Sequence, residues 1–188
     1  MLRRMDRFDH AARRLSALLV RRGETSPGLM PPPSPNRSEF PFVASLVFQG
    51  IPIDIEQRKG DVREGVDANG TPWRVTMQAH YGEVRSHARG AAGVMGARGM
   101  DGDRLDVYVG DALESDVVVV VDQRVPETGE HDEQKVMLGF PSVAEALACY
   151  RKQYTKPGFY GGHTTMSIDD FRAKIADPNN AGKALKKA

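Results

Sequence analysis

The chain has 188 residues, with 26 Lys and Arg against 25 Asp and Glu and a formal net charge of +1. That balance points to neither nucleic acid nor an acidic surface as a partner. No apolar run nears the roughly 18 residues that a membrane span requires. A lone cysteine, Cys149, excludes an internal disulfide and fits a reducing compartment.

Residues 1–22 read as a basic amphipathic helix. Phe8, Ala11, Ala12, Leu15, Leu18 and Leu19 recur at helical spacing, and seven arginines outweigh Asp6 and Asp9. The remainder of the chain is therefore net negative. The apolar stretch 15–20 is too short for a secretory segment, and Arg21-Arg22 follows it, so the expected location is cytoplasmic. Residues 23–41, with Pro27, Pro31, Pro32, Pro33 and Pro35, form an extended linker. The helix has no sequence neighbour to cover its stripe. It is expected to dock on a protein partner, on its own body or on a second copy.

From Phe42 the texture becomes β-rich. Strands are expected over 42–48, 51–55, 73–77, 105–109, 117–121 and 136–140, with Asp67-Ala68-Asn69-Gly70 as a turn. The run 117–121 is valine throughout and lacks alternation, which predicts a central strand buried on both faces. Ser142-Val143-Ala144-Glu145 is a capping box opening a helix to about Tyr154. Ser167 opens a second helix through about Ile175. Gly90 to Gly99 and residues 157–162 read as glycine-rich loops. The expected fold class is α+β. A closed or partly open five- to six-stranded barrel over 42–178 carries two C-terminal helices, follows the separate N-terminal helix, and ends in a basic flexible tail, 179–188.

The densest chemistry lies in Asp101-Gly102-Asp103-Arg104-Leu105-Asp106-Val107. Three carboxylates in six positions raise one another's pKa unless a cation sits between them. Oxygen-only donors suit Mg²⁺ or Mn²⁺, commonly shared with a phosphate. A solvated acidic turn is the alternative. Alternation places Leu105, Val107 and Val109 toward the core and Asp106 on the other face, toward a mouth. Asp132, Glu133 and Lys135 precede a strand and offer further acids and an ammonium. Glu56, Lys59 and Arg63 follow another. Tyr81, Tyr150 and Arg151 are candidate donors.

These residues, in this order, resemble soluble family I inorganic pyrophosphatases. The segment 101–107 is similar to an Asp-x-Asp-Pro-x-Asp-Val signature, Tyr81-Gly82-Glu83-Val84 to a Tyr-Gly-x-Ile segment, and Asp132-Glu133-Gln134-Lys135 to an acidic-x-Lys segment. Tyr150-Arg151 resembles a Tyr-Lys pair, and Glu56 and Arg63 an early Glu and Lys. The resemblance covers about residues 48–176 and is nearest to compact domains of phage and mobile-element proteins. It implies an OB-like barrel that hydrolyses pyrophosphate, or a related phosphoanhydride, with Mg²⁺. Asp101, Asp106, Glu133 or Asp132, and Glu56 would then hold metal, and Asp103 would accept a proton from water. Arg63, Arg74, Tyr81, Lys135, Tyr150 and Arg151 would hold phosphates. Arg104 replaces the signature proline, and there it either pairs with a carboxylate, lowering metal affinity, or binds substrate itself. The alternative function is a non-catalytic virion component that reuses the barrel. The net-negative body argues against nucleic acid.

Overall fold

The computed structural model describes residues 42–66, 70–85 and 97–186. The expected N-terminal helix, the linker, most of the 67–70 turn and most of the Gly90–Gly99 loop lie outside them.

Among the described residues, nine strands and two α-helices follow one another as β1 (Ala44–Phe48), β2 (Ile51–Gln57), β3 (Val62–Val66), β4 (Pro72–Thr76), β5 (His80–Val84), β6 (Asp106–Val109), β7 (Val117–Arg124), β8 (His131–Leu138), α1 (Val143–Gln153), β9 (Tyr160–Ser167) and α2 (Ile168–Ala176). Seven strands form one sheet in the order β1-β2-β5-β6-β8-β7-β9, while β3 and β4 pair only with each other. All neighbours are antiparallel except β6 and β8, which run parallel. The molecule is α+β, as expected, but with more strands than the five or six anticipated. Among the described residues no ladder joins β1 to β9, so backbone pairing does not close a barrel.

Three strands escaped the sequence reading for physical reasons. β3 carries two charged residues among its five and alternates exposed with half-buried positions, so neither of its faces is apolar and buried. β5 reads polar because His80, Tyr81 and Glu83 make up three of its five residues. β9 begins with Tyr160-Gly161-Gly162, and those glycines suggested a loop. The supposed flexible segment 157–162 therefore runs into an edge strand paired with β7.

Alternation on the central strands builds two cores. Val118 and Val120 face one side with Ile53, Ile55, Val107, Val136 and Leu138, and α2 covers them with Phe171 and Ile175. Leu46 and Phe48 of β1 and Met166 of β9 belong to this same core, which therefore links both edges of the sheet. Val119 and Val121 face the other side with Tyr81, Tyr108 and Met137, under Ala146, Leu147, Cys149 and Tyr150 of α1. β7 is thus buried on both faces, as its unbroken valines predict. Both helices start where their caps stand: Ser142 accepts from the amide of Glu145 and Ser167 from that of Asp170. The terminal segment, expected as a tail, instead inserts Leu185 into the first core, with its amide donating to Gln134 Oε1 at 2.8 Å.

Candidate active site

On the face covered by α1, strand register lines up a row of charged side chains. Asp54 on β2 is opposite Glu83 on β5, Glu83 is opposite Asp106 on β6, and Asp106 is opposite Lys135 on β8. Directly cross-strand side chains are near neighbours, and like charges there repel. The next row along is Tyr81, Tyr108 and Met137, which floors the site with apolar surface.

Lys135 is the hub. Its ammonium contacts Asp106, lies 2.6 Å from Glu133 Oε1 and donates to Tyr81 Oη at 3.4 Å. Its side chain is only 4% exposed. Burial opposes its charge, yet the surrounding phenols and carboxylates outweigh that penalty and hold its pKa well above the ordinary lysine value. Burial raises Glu133 to about 7; the ammonium pulls the other way, and the negative charge of Asp106 adds to the rise. For Asp106 burial also pushes upward, but the Lys135 contact prevails and keeps this carboxyl low. Glu83 is likewise raised to about 7 by burial and by the charge of Glu56, with Arg104 opposing. Glu56 itself is buried at the bulge of β2.

A second tier holds Glu133 in place. Gln123 Nε2 donates to Glu133 Oε1 and to Asp132 Oδ2, each at 3.0 Å, while Gln123 Oε1 accepts from Tyr150 Oη at 3.1 Å. Tyr108 and Tyr154 hydroxyls meet at 3.2 Å behind them. Arg63, carried on the β3–β4 ladder, lies 5.3 Å above the Tyr81 ring and 5.8 Å from that of Trp73. Cation–π contact thus ties the ladder to the site.

The sequence from 42 to 176 matches the family model described as Inorganic Pyrophosphatase. The chain belongs to the inorganic pyrophosphatase family. No curated protein and no solved structure matches it.

Within this pyrophosphatase-family domain, the expected site residues divide into two groups. Asp106, Glu133, Lys135 and Tyr81 meet directly, Asp132 and Tyr150 join them through Gln123, and Arg63 covers Tyr81. Asp101 and Asp103 instead sit exposed on the turn before β6, where Asp101 Oδ1 accepts from the Asp103 amide at 3.0 Å. Glycine at 102 permits that turn, with φ +87°. The turn rests near the start of β8, since Met100 Sδ lies 3.1 Å from His131 Nε2. Arg74 pairs with Glu64 at 3.5 Å on the exposed ladder, and Arg151 lies 5.3 Å over the Tyr160 ring. Lys59 contacts Asp111.

Asp54, Glu83, Gln123 and Tyr154 were not singled out from sequence. Glu83 was legible, because period two from Tyr81 places it on the same face. Gln123 carries no such signal. Among the described residues, no three His, Cys, Asp or Glu side chains form a ready metal cage. The donor chemistry nonetheless fits a hard divalent cation. Every donor is a carboxylate oxygen, and Asp106 and Glu133 converge on one point, the Lys135 ammonium.

Proposed function

We propose that this domain hydrolyses pyrophosphate, or a related small phosphoanhydride, at the Asp106–Glu133–Lys135 group, with Mg²⁺. The observation that carries this reading is the buried ammonium of Lys135, set between two carboxylates and the Tyr81 hydroxyl in a pyrophosphatase-family chain. Lys135 and Arg63 offer positive charge to phosphate oxygens, and the Tyr81 hydroxyl donates a hydrogen bond to them. Asp106 and Glu133, together with Glu56, Asp132 and Asp101, are the residues that would hold Mg²⁺. When bound, Mg²⁺ supplies acidification of water and neutralisation of phosphate charge. Asp103, on the turn leading into β6, is assigned to accept the proton of the attacking water. Tyr150 fixes Gln123 and so orients Glu133. Arg151 and Arg74 serve as outlying phosphate contacts. The basic segment 1–22 is read as an attachment to a protein partner, so deleting residues 1–41 leaves hydrolysis intact.

The test is phosphate release from pyrophosphate and Mg²⁺ by the purified full-length chain. Wild type should release phosphate, whereas Asp106→Asn and Asp103→Asn should each reduce the rate by about 100-fold or more. A wild-type rate no higher than that of Asp106→Asn refutes the proposal.

A further inference from the structure

The acid row ends differently on its two sides. At one end Lys135 serves Asp106 and Glu133. At the other, Asp54 and Glu83 stand directly opposite each other with arginines around them. Arg104 Nη1 donates to Glu83 Oε2 at 3.3 Å and lies 4.0 Å from Asp54 Oδ2. Arg85 takes the rest of Asp54: its Nε donates to Oδ2 at 2.9 Å and its Nη2 contacts Oδ1. Ser45 Oγ donates to Asp54 Oδ1 at 2.7 Å and accepts from Arg85 Nη2 at 3.0 Å.

Arg104 is built into this position. Its side chain is 10% exposed, and its guanidinium lies 5.7 Å from the Phe42 ring. A backbone bridge to Arg98 fixes the main chain there. Residues 104 and 106 share a face by period two, so the cation and the Asp106 carboxylate enter the site from one strand segment. A guanidinium stays charged at every working pH, and its planar fork can serve two carboxylates at once.

We propose that Arg104 is a resident cation at the Asp54–Glu83 end of the row, holding a place that a divalent ion would otherwise take. Along this row, divalent ions therefore bind at the Asp106–Glu133 end and not at the Asp54–Glu83 end. The inference rests on the functional reading above and adds to it which acids are closed to metal. It also decides between the two roles open to Arg104 from sequence: it is a partner of carboxylates.

Mn²⁺ is the probe, followed by electron paramagnetic resonance on the full-length chain at pH 8, without substrate. Arg104→Gln should bind one more Mn²⁺ per chain than wild type, and Arg104→Lys should keep the wild-type number. Adding Glu83→Gln to Arg104→Gln should abolish the gained site. Glu83→Gln alone should leave wild-type Mn²⁺ affinity within about twofold, and this arm holds even where Arg104→Gln fails to fold. An Arg104→Gln protein with native circular dichroism and wild-type stoichiometry overturns the inference. So does a Glu83→Gln protein whose Mn²⁺ binding weakens tenfold. Either result can occur with normal phosphate release in wild type, and then only the role of Arg104 falls. A wild type without phosphate release removes the functional reading, while an ion gained by Arg104→Gln would still support the resident cation.

Discussion

Lys135 keeps an ammonium in a place nearly closed to water because Asp106, Glu133 and Tyr81 surround it. Removing one member of such a buried group leaves uncompensated charge, at about 3–5 kcal/mol. Lys135→Met should therefore lower the unfolding free energy by that order in denaturant melts, and should abolish phosphate release. A variant as stable as wild type would show that the carboxylates do not depend on this ammonium. His80 makes the opposite case, a base that folding keeps neutral. It is 4% exposed, and its Nδ1 accepts from the Lys59 amide at 3.3 Å. Burial lowers its pKa below the ordinary 6.5, while Asp111 opposes and Lys59 and Arg58 assist. The unfolded chain thus takes up the proton first. The contribution of His80 to stability is complete above about pH 6.5 and is lost as pH falls from there through the folded value. His80→Asn keeps an acceptor near Nδ1 but cannot titrate. The stability advantage of wild type over this variant should shrink from pH 7.5 to pH 5, read as melting temperatures across that series.

Among the elements, the β2–β5 ladder decides whether the acid row exists. Gly82 lies opposite Ile55, and a Cβ there would fall 2.0 Å from the Asp54 carbonyl oxygen. Only glycine lets the two strands approach closely enough to set Asp54 beside Glu83. Gly82→Ala should force the strands apart, with a loss of about 3 kcal/mol or more, measurable by chemical denaturation. An unchanged midpoint would mean that the strands separate freely. The helices are simpler. Each begins at a serine whose side chain caps the third residue beyond it, and both starts were readable because capping is local. β9 shows the reverse. Gly161 and Gly162 disfavour a strand by themselves, and only pairing with the buried valines of β7 makes one.

For the whole molecule, the described body extends past the region that matches the family model. That match stops at 176, yet Leu185 is 2% exposed within the core that joins both sheet edges, and its amide donates to the buried Gln134. Gln134 in turn donates to Asp122 Oδ1 at 2.6 Å, on β7. Leu185→Ala should destabilise by about 2–5 kcal/mol, seen as a lower melting temperature. A value near zero would return this segment to the role of a tail. Among the described residues, no helix is long and apolar enough to cross a membrane.

The sequence alone determined what depends on near neighbours: two capped helices, the doubly buried valine strand, the face on which Asp106 stands, and the order of motifs that marks the family. Only the tertiary structure decided which strands lie side by side. Asp54, Glu83, Asp106 and Lys135 are far apart along the chain, and register across β2, β5, β6 and β8 makes them one row. Register is set by matching buried faces and by one close glycine contact, which are non-local and carry no signature at any single position. For the same reason Arg104 could be read beforehand as a cation near acids, but its partners, Glu83 and Asp54, emerged only when the sheet was assembled.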